Sequence, residues 1–255
     1  MKKLKFCFSL FLILILFSCS INKEDLIETK YLITEINHHD GVTGDINYVS
    51  QIEYDSEGKL FLIKSFTKYN ISDISRTLFK YNDLDELTSI RKESGGNFYE
   101  LEVILEEGKI TIKGWDQPYK IVYHYNEARM ITSKEVWYNI SSPNTFNFTY
   151  NNEKQLVEIY KKIGSLTPEI ITFNNYIASN PFPFSVYIGT FGDLELILSH
   201  AFNIKFGNNG VPTTSIGNPD FENFEYDFDN HKNIVKMKLN TNNIFSFKYK
   251  RELIY

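Results

Sequence analysis

A chain of 255 residues with 27 basic and 32 acidic side chains carries a formal net charge of −5. No basic stripe interrupts that acidic balance, and because phosphate binding needs clustered Lys and Arg, nucleic acid is excluded as a partner. The two cysteines, Cys7 and Cys19, both lie near the amino end, so disulfides, thiol nucleophiles and thiolate metal sites are excluded from the remainder.

The first element is an export signal. Lys2, Lys3 and Lys5 precede an apolar run from Phe6 to Phe17, the basic front and hydrophobic core that export machinery reads. As a helix rising ~1.5 Å per residue, the run reaches only ~18 Å, against ~30 Å of hydrocarbon. Leu16-Phe17-Ser18-Cys19 resembles the lipobox of bacterial lipoproteins, which implies cleavage before Cys19 and acylation of its thiol. Removal of residues 1–18 takes three lysines and leaves 24 basic against 32 acidic side chains, a net charge of −8. Each methylene of an attached acyl chain adds about 0.8 kcal/mol to membrane attachment, and two chains anchor stably. Residues 1–18 are therefore expected to be a signal peptide, and residues 19–29 a lipidated cysteine with its tether. Within the tether, Lys23-Glu24-Asp25 resembles the lysine-plus-acid surface-export signal of Bacteroidota lipoproteins, with an ordinary solvated linker as the other reading. The expected location is the cell outer membrane, held through the lipid and facing either the periplasm or the cell surface.

Residues 30–255 are expected to form a single β domain. Alanine, the best helix former, occurs only at Ala128, Ala178 and Ala201, whereas Phe, Tyr, Ile and Thr are plentiful, and those side chains suit a pleated face. Phe146-x-Phe148-x-Tyr150, Tyr123-x-Tyr125 and Phe245-x-Phe247-x-Tyr249 put aromatics on one face and polar residues on the other, as half-buried antiparallel strands require.

A degenerate pattern organises these strands. An apolar or aromatic residue, a gap, a tyrosine, an Asp/Asn-rich turn and a second apolar stretch recur as IEYDSEGKLFLI (52–63), FKYNDLDELTSI (79–90), YHYNEARMITSKEVW (123–137), FTYNNEKQLVEI (148–159) and FEYDFDNHKNIVKM (224–237). Each predicts a β-hairpin, the Asp or Asn after tyrosine bonding its own backbone to start the turn. VILEEGKITIKGW (103–115) fits the same hairpin without the tyrosine. The string YDSEGKL resembles a unit of the tyrosine-aspartate repeats of bacterial Rhs-type shells. With FNNYIASN (173–180), FGDLELILSHAF (191–202) and GNNGVPTTS (207–215), the chain more closely resembles Bacteroides-type lipoproteins of unknown function with a porin-like fold, over most of residues 30–250. Val211-Pro212 stands where that family has a Leu-Pro-like turn. The resemblance implies a curved antiparallel sheet, a half-barrel or barrel, and no activity.

A membrane-spanning barrel would need strands of ~9–11 residues with lipid-facing apolar positions, and several predicted strands are too short, so a sheet outside the bilayer is expected. One short helix is predicted over about Asp193–His200, with Asp193 capping its amino end and Leu194, Ile197, Leu198 and Ala201 on one face. Asn180-Pro181-Phe182-Pro183 cannot continue a central strand. Residues of about 174–220 are therefore expected to be an irregular, partly helical cover over an edge or mouth of the sheet.

No catalytic motif is present: no G-x-S-x-G elbow, H-E-x-x-H, P-loop or dinucleotide fingerprint. His38 and His39 are adjacent, so in a strand they point to opposite faces and do not meet one ion. Asp227-Phe228-Asp229-Asn230 lacks the glycine and glutamate of a calcium loop and reads as a turn. No metal and no cofactor is expected. Glu53, Glu102, Glu106 and Glu107 are the carboxylates that a glycosidase would have to bring together. The leading functional expectation is a non-enzymatic binding module for a glycan or another outer-membrane protein. A carboxylate-based hydrolase and a structural or adhesive element of a surface assembly are the alternatives. The candidate ligand-binding residues are Trp115, Asp116, Gln117 and Tyr119, flat rings beside polar groups in a turn-rich connection, suited to stacking on a sugar. The competing role for Trp115 is a packed plug at the end of the sheet.

Overall fold

The computed structural model describes residues 28–114, 119–138, 142–180, 210–217, 222–240 and 243–254. Residues 32–250 form one unit; residues 1–31 and 251–255 form a second, whose described part is strand. The predicted signal, lipid and tether positions, including Cys19, Lys23, Glu24 and Asp25, lie outside the described residues, as do Trp115, Asp116, Gln117 and the helix expected at Asp193–His200.

Alternating apolar and polar residues become sixteen strands among the described residues. They are β1 (Glu28–His39), β2 (Ile46–Tyr54), β3 (Leu60–Thr67), β4 (Asn70–Tyr81), β5 (Leu87–Ser94), β6 (Asn97–Glu106), β7 (Lys109–Gly114) and β8 (Tyr119–Tyr125), then β9 (Ile131–Tyr138), β10 (Asn144–Tyr150), β11 (Leu156–Lys162), β12 (Glu169–Ile177), β13 (Val211–Ile216), β14 (Glu225–Phe228), β15 (Ile234–Lys238) and β16 (Ile244–Ile254). From β1 to β13 and from β14 to β16 each strand pairs antiparallel with its chain neighbour, and β1 lies beside β16. Between β13 and β14 the ladder thins to a bridge between Thr214 and Asn223, with Phe224 N–H donating to Thr213 O at 2.8 Å and Ser215 N–H to Glu222 O at 3.0 Å. These bonds bring the two ends of the sheet together, so the all-β expectation resolves into an antiparallel, nearly closed barrel with few backbone groups left at an edge.

The seam also explains Pro212. A proline cannot donate to a ladder and is tolerated where pairing is incomplete. Pro212 lies within β13 rather than in a turn, and its carbonyl accepts the Tyr226 hydroxyl at 2.7 Å. The span expected to be irregular, about 174–220, is strand at both ends: Asn174–Ile177 complete β12 and Val211–Ile216 are β13. Asn180 then ties the exit of β12 to the β14–β15 turn, its N–H donating to Lys232 O and its side-chain amide to Asn233 Oδ1 at 2.7 Å.

The short connections at one end of the barrel share a construction. Asp55, Asn82, Asn126, Asn151 and Asp229 each donate N–H to, and so close a five-residue turn with, the carbonyl four residues on. Their side-chain Oδ1 atoms accept from the turn backbone, as Asn151 does from Glu153 N–H at 3.0 Å and Gln155 N–H at 2.9 Å. The fourth turn residue is left-handed in each case: Gly58, Asp85, Arg129, Lys154 and Lys232 have φ between 60° and 76°. A one-residue register shift follows every one of these turns, leaving Phe61, Thr88, Thr132, Val157 and Val235 as the extra residue of a bulge just inside the returning strand.

Tyrosines brace the same end. Tyr54, Tyr81, Tyr150 and Tyr249 donate their hydroxyls to Ile33, Leu60, Ile131 and Ile234 carbonyls at 2.7–2.9 Å, and Tyr176 donates to Leu156 O. Each hydroxyl thus reaches back to the preceding strand, with its ring against the core. Burial raises the Tyr150, Tyr176, Tyr226 and Tyr249 hydroxyls well above the usual phenol range.

The core fills this end. Ile52, Leu60, Ile63, Phe79, Leu87, Ile90, Ile110, Tyr123, Ile131, Phe148, Ile159, Phe173, Met237 and Phe247 are buried in one cluster. Alternation therefore assigns their positions to the inner face and the intervening ones to the outer face. The outer face is crossed by ion pairs: Glu102–Lys113 at 2.9 Å, Glu100–Lys80 at 3.0 Å, Glu225–Lys238 and Glu35–Lys248 at 2.8 Å, and Glu53–Lys64.

Candidate ligand-binding rim

At the opposite end the inner face changes character. Register continues the inner positions of the core strands into Ser50, Ser65, Ser75, Thr77, Lys92, Lys134 and Lys161. Ser50 and Ser65 pair across β2 and β3 and share a 2.9 Å hydroxyl contact. Lys92 stands between Thr77 and Tyr99, Lys134 opposite Tyr123, and Lys161 opposite Phe146. Three inward lysines in an acidic protein are unusual, because a strand lysine ordinarily faces water.

Each is accommodated differently. Lys134 is 4% exposed, with Nζ 5.5 Å from the Tyr123 ring centroid and 5.8 Å from that of Phe146, so quadrupoles of two rings offset its desolvation. Lys161 is paired with Glu169 at 2.9 Å. Lys92 is half-buried.

Aromatic rings stand at the rim. Tyr119 and Tyr138 pair across β8 and β9 with centroids 5.4 Å apart, tilted by 45°, and Tyr138 is 52% exposed. Tyr48 and Tyr99 occupy the corresponding inner positions of β2 and β6 and are also exposed. Of the four binding residues read from sequence, Tyr119 is the one within the described residues, and it belongs to this group. Tyr48, Tyr99 and Tyr138 were not singled out, because a tyrosine at a strand end carries no local sign of which face it occupies until register is known.

The other candidates have structural roles. His38 and His39 do take opposite faces: His38 stacks on Phe245 at 4.8 Å with its Nε2 buried, whereas His39 Nδ1 lies 3.1 Å from Gly44 O and Nε2 lies 2.8 Å from Ser246 Oγ. Asp229 is a turn residue, accepting from His231 N–H and Asn233 N–H at 2.8 and 2.9 Å. Although burial opposes its charge, bonds from Asn233 and His231 hold its carboxyl below the usual range. Glu53, Glu102 and Glu106 each face a lysine partner. Glu107 lies with Glu86, Glu106 and Glu127 around a hollow of about 1070 Å³ at the turn end, where Arg129 is also present. Among the described residues no three His, Cys, Asp or Glu side chains are grouped to hold a metal ion, and no helix is long and apolar enough to cross a membrane.

No family model matches the chain, and no curated protein matches it. Among solved structures it is similar to a porin-like protein from Bacteroides uniformis, at 14% identity, covering 86% of this chain and 98% of that one with a TM-score of 0.43. It is also similar to a porin-like protein from Bacteroides vulgatus, at 12% identity with the same coverages and a TM-score of 0.41.

Proposed function

We propose that this protein is a lipid-anchored, non-enzymatic binding module of the bacterial outer membrane that takes a glycan at the tyrosine-lined rim. The observation that carries the reading is the inner rim itself, with Tyr48, Tyr99, Tyr119 and Tyr138 beside serine and threonine hydroxyls and the Lys92 ammonium. Flat rings pack against the C–H faces of sugars, while hydroxyls and a cation bond their oxygens. Trp115, Asp116 and Gln117 fall in sequence between β7 and the Tyr119 that opens β8.

The outer wall supports a location beside the bilayer rather than within it. A membrane barrel presents an apolar band ~25 Å tall to lipid, and a lysine at the midplane costs about 2–4 kcal/mol. Here Lys80, Lys113, Lys238 and Lys248 and their glutamate partners occupy outward positions. Attachment then falls to acylated Cys19, with Lys23-Glu24-Asp25 as export signal.

A glycan array with the mature chain, compared with Tyr138→Ala and Tyr99→Ala, tests the reading. Selective binding that both variants weaken without a loss of melting temperature supports it. An array profile indistinguishable between the parent and both variants sinks it.

A further inference from the structure

On the outer wall, β4, β5 and β6 frame a hollow of about 330 Å³ beside the Gly95-Gly96 turn. Arg76 pairs with Glu93, and Glu93 with Phe98, so the three side chains stand in one row across the strands. Arg91 shares their face two residues along β5. Its Nε lies 2.8 Å from Glu93 Oε1, and its guanidinium carbon lies 4.2 Å from the Phe98 ring centroid. The row faces outward, since the alternate residues Thr77, Ile90 and Leu101 are buried inside.

Charge and shape then point to a ligand. Glu100, the residue opposite Arg91, is engaged by Lys80 Nζ at 3.0 Å and Ser89 Oγ at 2.9 Å. Arg91 also acts on Glu100 as a weaker charge partner, and among the residues that line the hollow two guanidiniums stand against the single carboxylate of Glu93. Arg91 is held in place by Glu93 and Phe98, whereas Arg76 is exposed. Phe98 keeps 63% of its surface in solvent even with Arg91 against it. Gly95 and Gly96, at φ of 57° and 81°, make the two-residue turn that left-handed backbone demands, and they bring no side chain over the opening.

We propose that this hollow binds one acidic sugar unit, its carboxylate bridged by Arg76 and Arg91 and its C–H face against Phe98. A guanidinium fork matches a planar carboxylate through two parallel hydrogen bonds, and a pre-ordered arginine loses less freedom in making them. The volume lies at the small end of ligand pockets, the size for a single ring rather than a folded partner. The site is separate from the tyrosine rim and stands independently of it.

The test is calorimetric titration of the mature chain carrying Cys19→Ser with glucuronate, glucose, inorganic phosphate and N-acetylglutamate. Glucuronate should bind at least about tenfold more tightly than glucose, consistent with loss of a charge-assisted bond. Arg76→Gln and Phe98→Ala should each weaken glucuronate by about tenfold, while Tyr138→Ala leaves it unchanged. Arg76 is exposed, so its variant folds even where an Arg91 substitution disturbs packing. Equal affinity for glucose, an unaltered Arg76→Gln titration, or tighter binding of phosphate or N-acetylglutamate than of glucuronate overturns the assignment.

Discussion

The Tyr150 hydroxyl donates to the Ile131 carbonyl at 2.7 Å, joining the end of one hairpin strand to the start of the strand before it. The bond satisfies a carbonyl beside the bulge, where the ladder is interrupted. Tyr150→Phe keeps the ring and removes the bond, so it should cost about 1 kcal/mol in urea unfolding.

The same tyrosines set an alkaline limit. Tyr81 is pushed up to about 12, chiefly by burial and then by the Asp55 carboxylate. A phenol raised above its unfolded value of about 10 contributes stability that is complete below pH ~10 and is lost as pH rises through the folded value. Urea midpoints should therefore hold steady to about pH 10 and fall between pH ~10 and ~12. Tyr81→Phe should flatten that fall, and an unchanged slope would contradict the assignment.

Gly217 and Gly44 separate two costs of replacing glycine. At Gly217, φ is 94° and an added Cβ would stand 2.0 Å from the Ile170 carbonyl oxygen, whereas at Gly44, φ is 73° and nothing lies within 4 Å. Gly217→Ala carries strain plus a backbone clash and should lose about 2–4 kcal/mol, against about 1–2 kcal/mol for Gly44→Ala. Chemical denaturation of both variants measures the difference.

Asp229 occupies the position held by asparagine at Asn82, Asn126 and Asn151. Because the folded carboxyl is depressed, its contribution is present above an unfolded value of about 4 and is lost as pH falls through the folded one. Asp229→Asn retains the Oδ1 acceptor and should reduce the loss of stability as pH falls below ~4, whereas Asp229→Ala should cost about 1 kcal/mol at pH 7. Acid unfolding followed by circular dichroism distinguishes them.

Attachment is tested at the other end of the chain. Cys19→Ala should abolish palmitate labelling, and the unlipidated mature chain should run as a single species without detergent, as an outer wall crossed by Lys–Glu pairs predicts. Replacing Lys23-Glu24-Asp25 with alanines should remove surface protease accessibility on intact cells. Label that persists in the mutant, or aggregation relieved only by detergent, would overturn the anchored reading.

The turns were the most legible part of the molecule. An Asp or Asn directly after an aromatic strand end can bond only its own neighbourhood, so Asp55, Asn82, Asn126 and Asn151 carry their structure in a few consecutive residues. The inward placement of Lys134 was not legible, since the position depends on register against Tyr123 and Phe146, and an isolated lysine in a strand suggests solvent. The Arg76–Glu93–Phe98 row was hidden for the same reason, its members being brought together by pairing across three strands. The extent of strand within residues 174–220 was masked by Pro212, whose tolerance depends on the incomplete pairing between β13 and β14.

The arrangement of neighbours also dictates an order of assembly. Hairpin partners lie a few residues apart, whereas Asn37 and Ser246, which bond across the β1–β16 boundary, are 209 residues apart. Joining ends at that separation costs about 5 kcal/mol of chain entropy by the logarithmic rule, against about 1–2 kcal/mol for a five-residue turn. The local hairpins therefore form first, and the β1–β16 pairing is the late, slow event that depends on them. Until it forms, the open edges of β1 and β16 are exposed to pairing with other chains, so the time spent before closure sets the exposure of a newly made chain to aggregation.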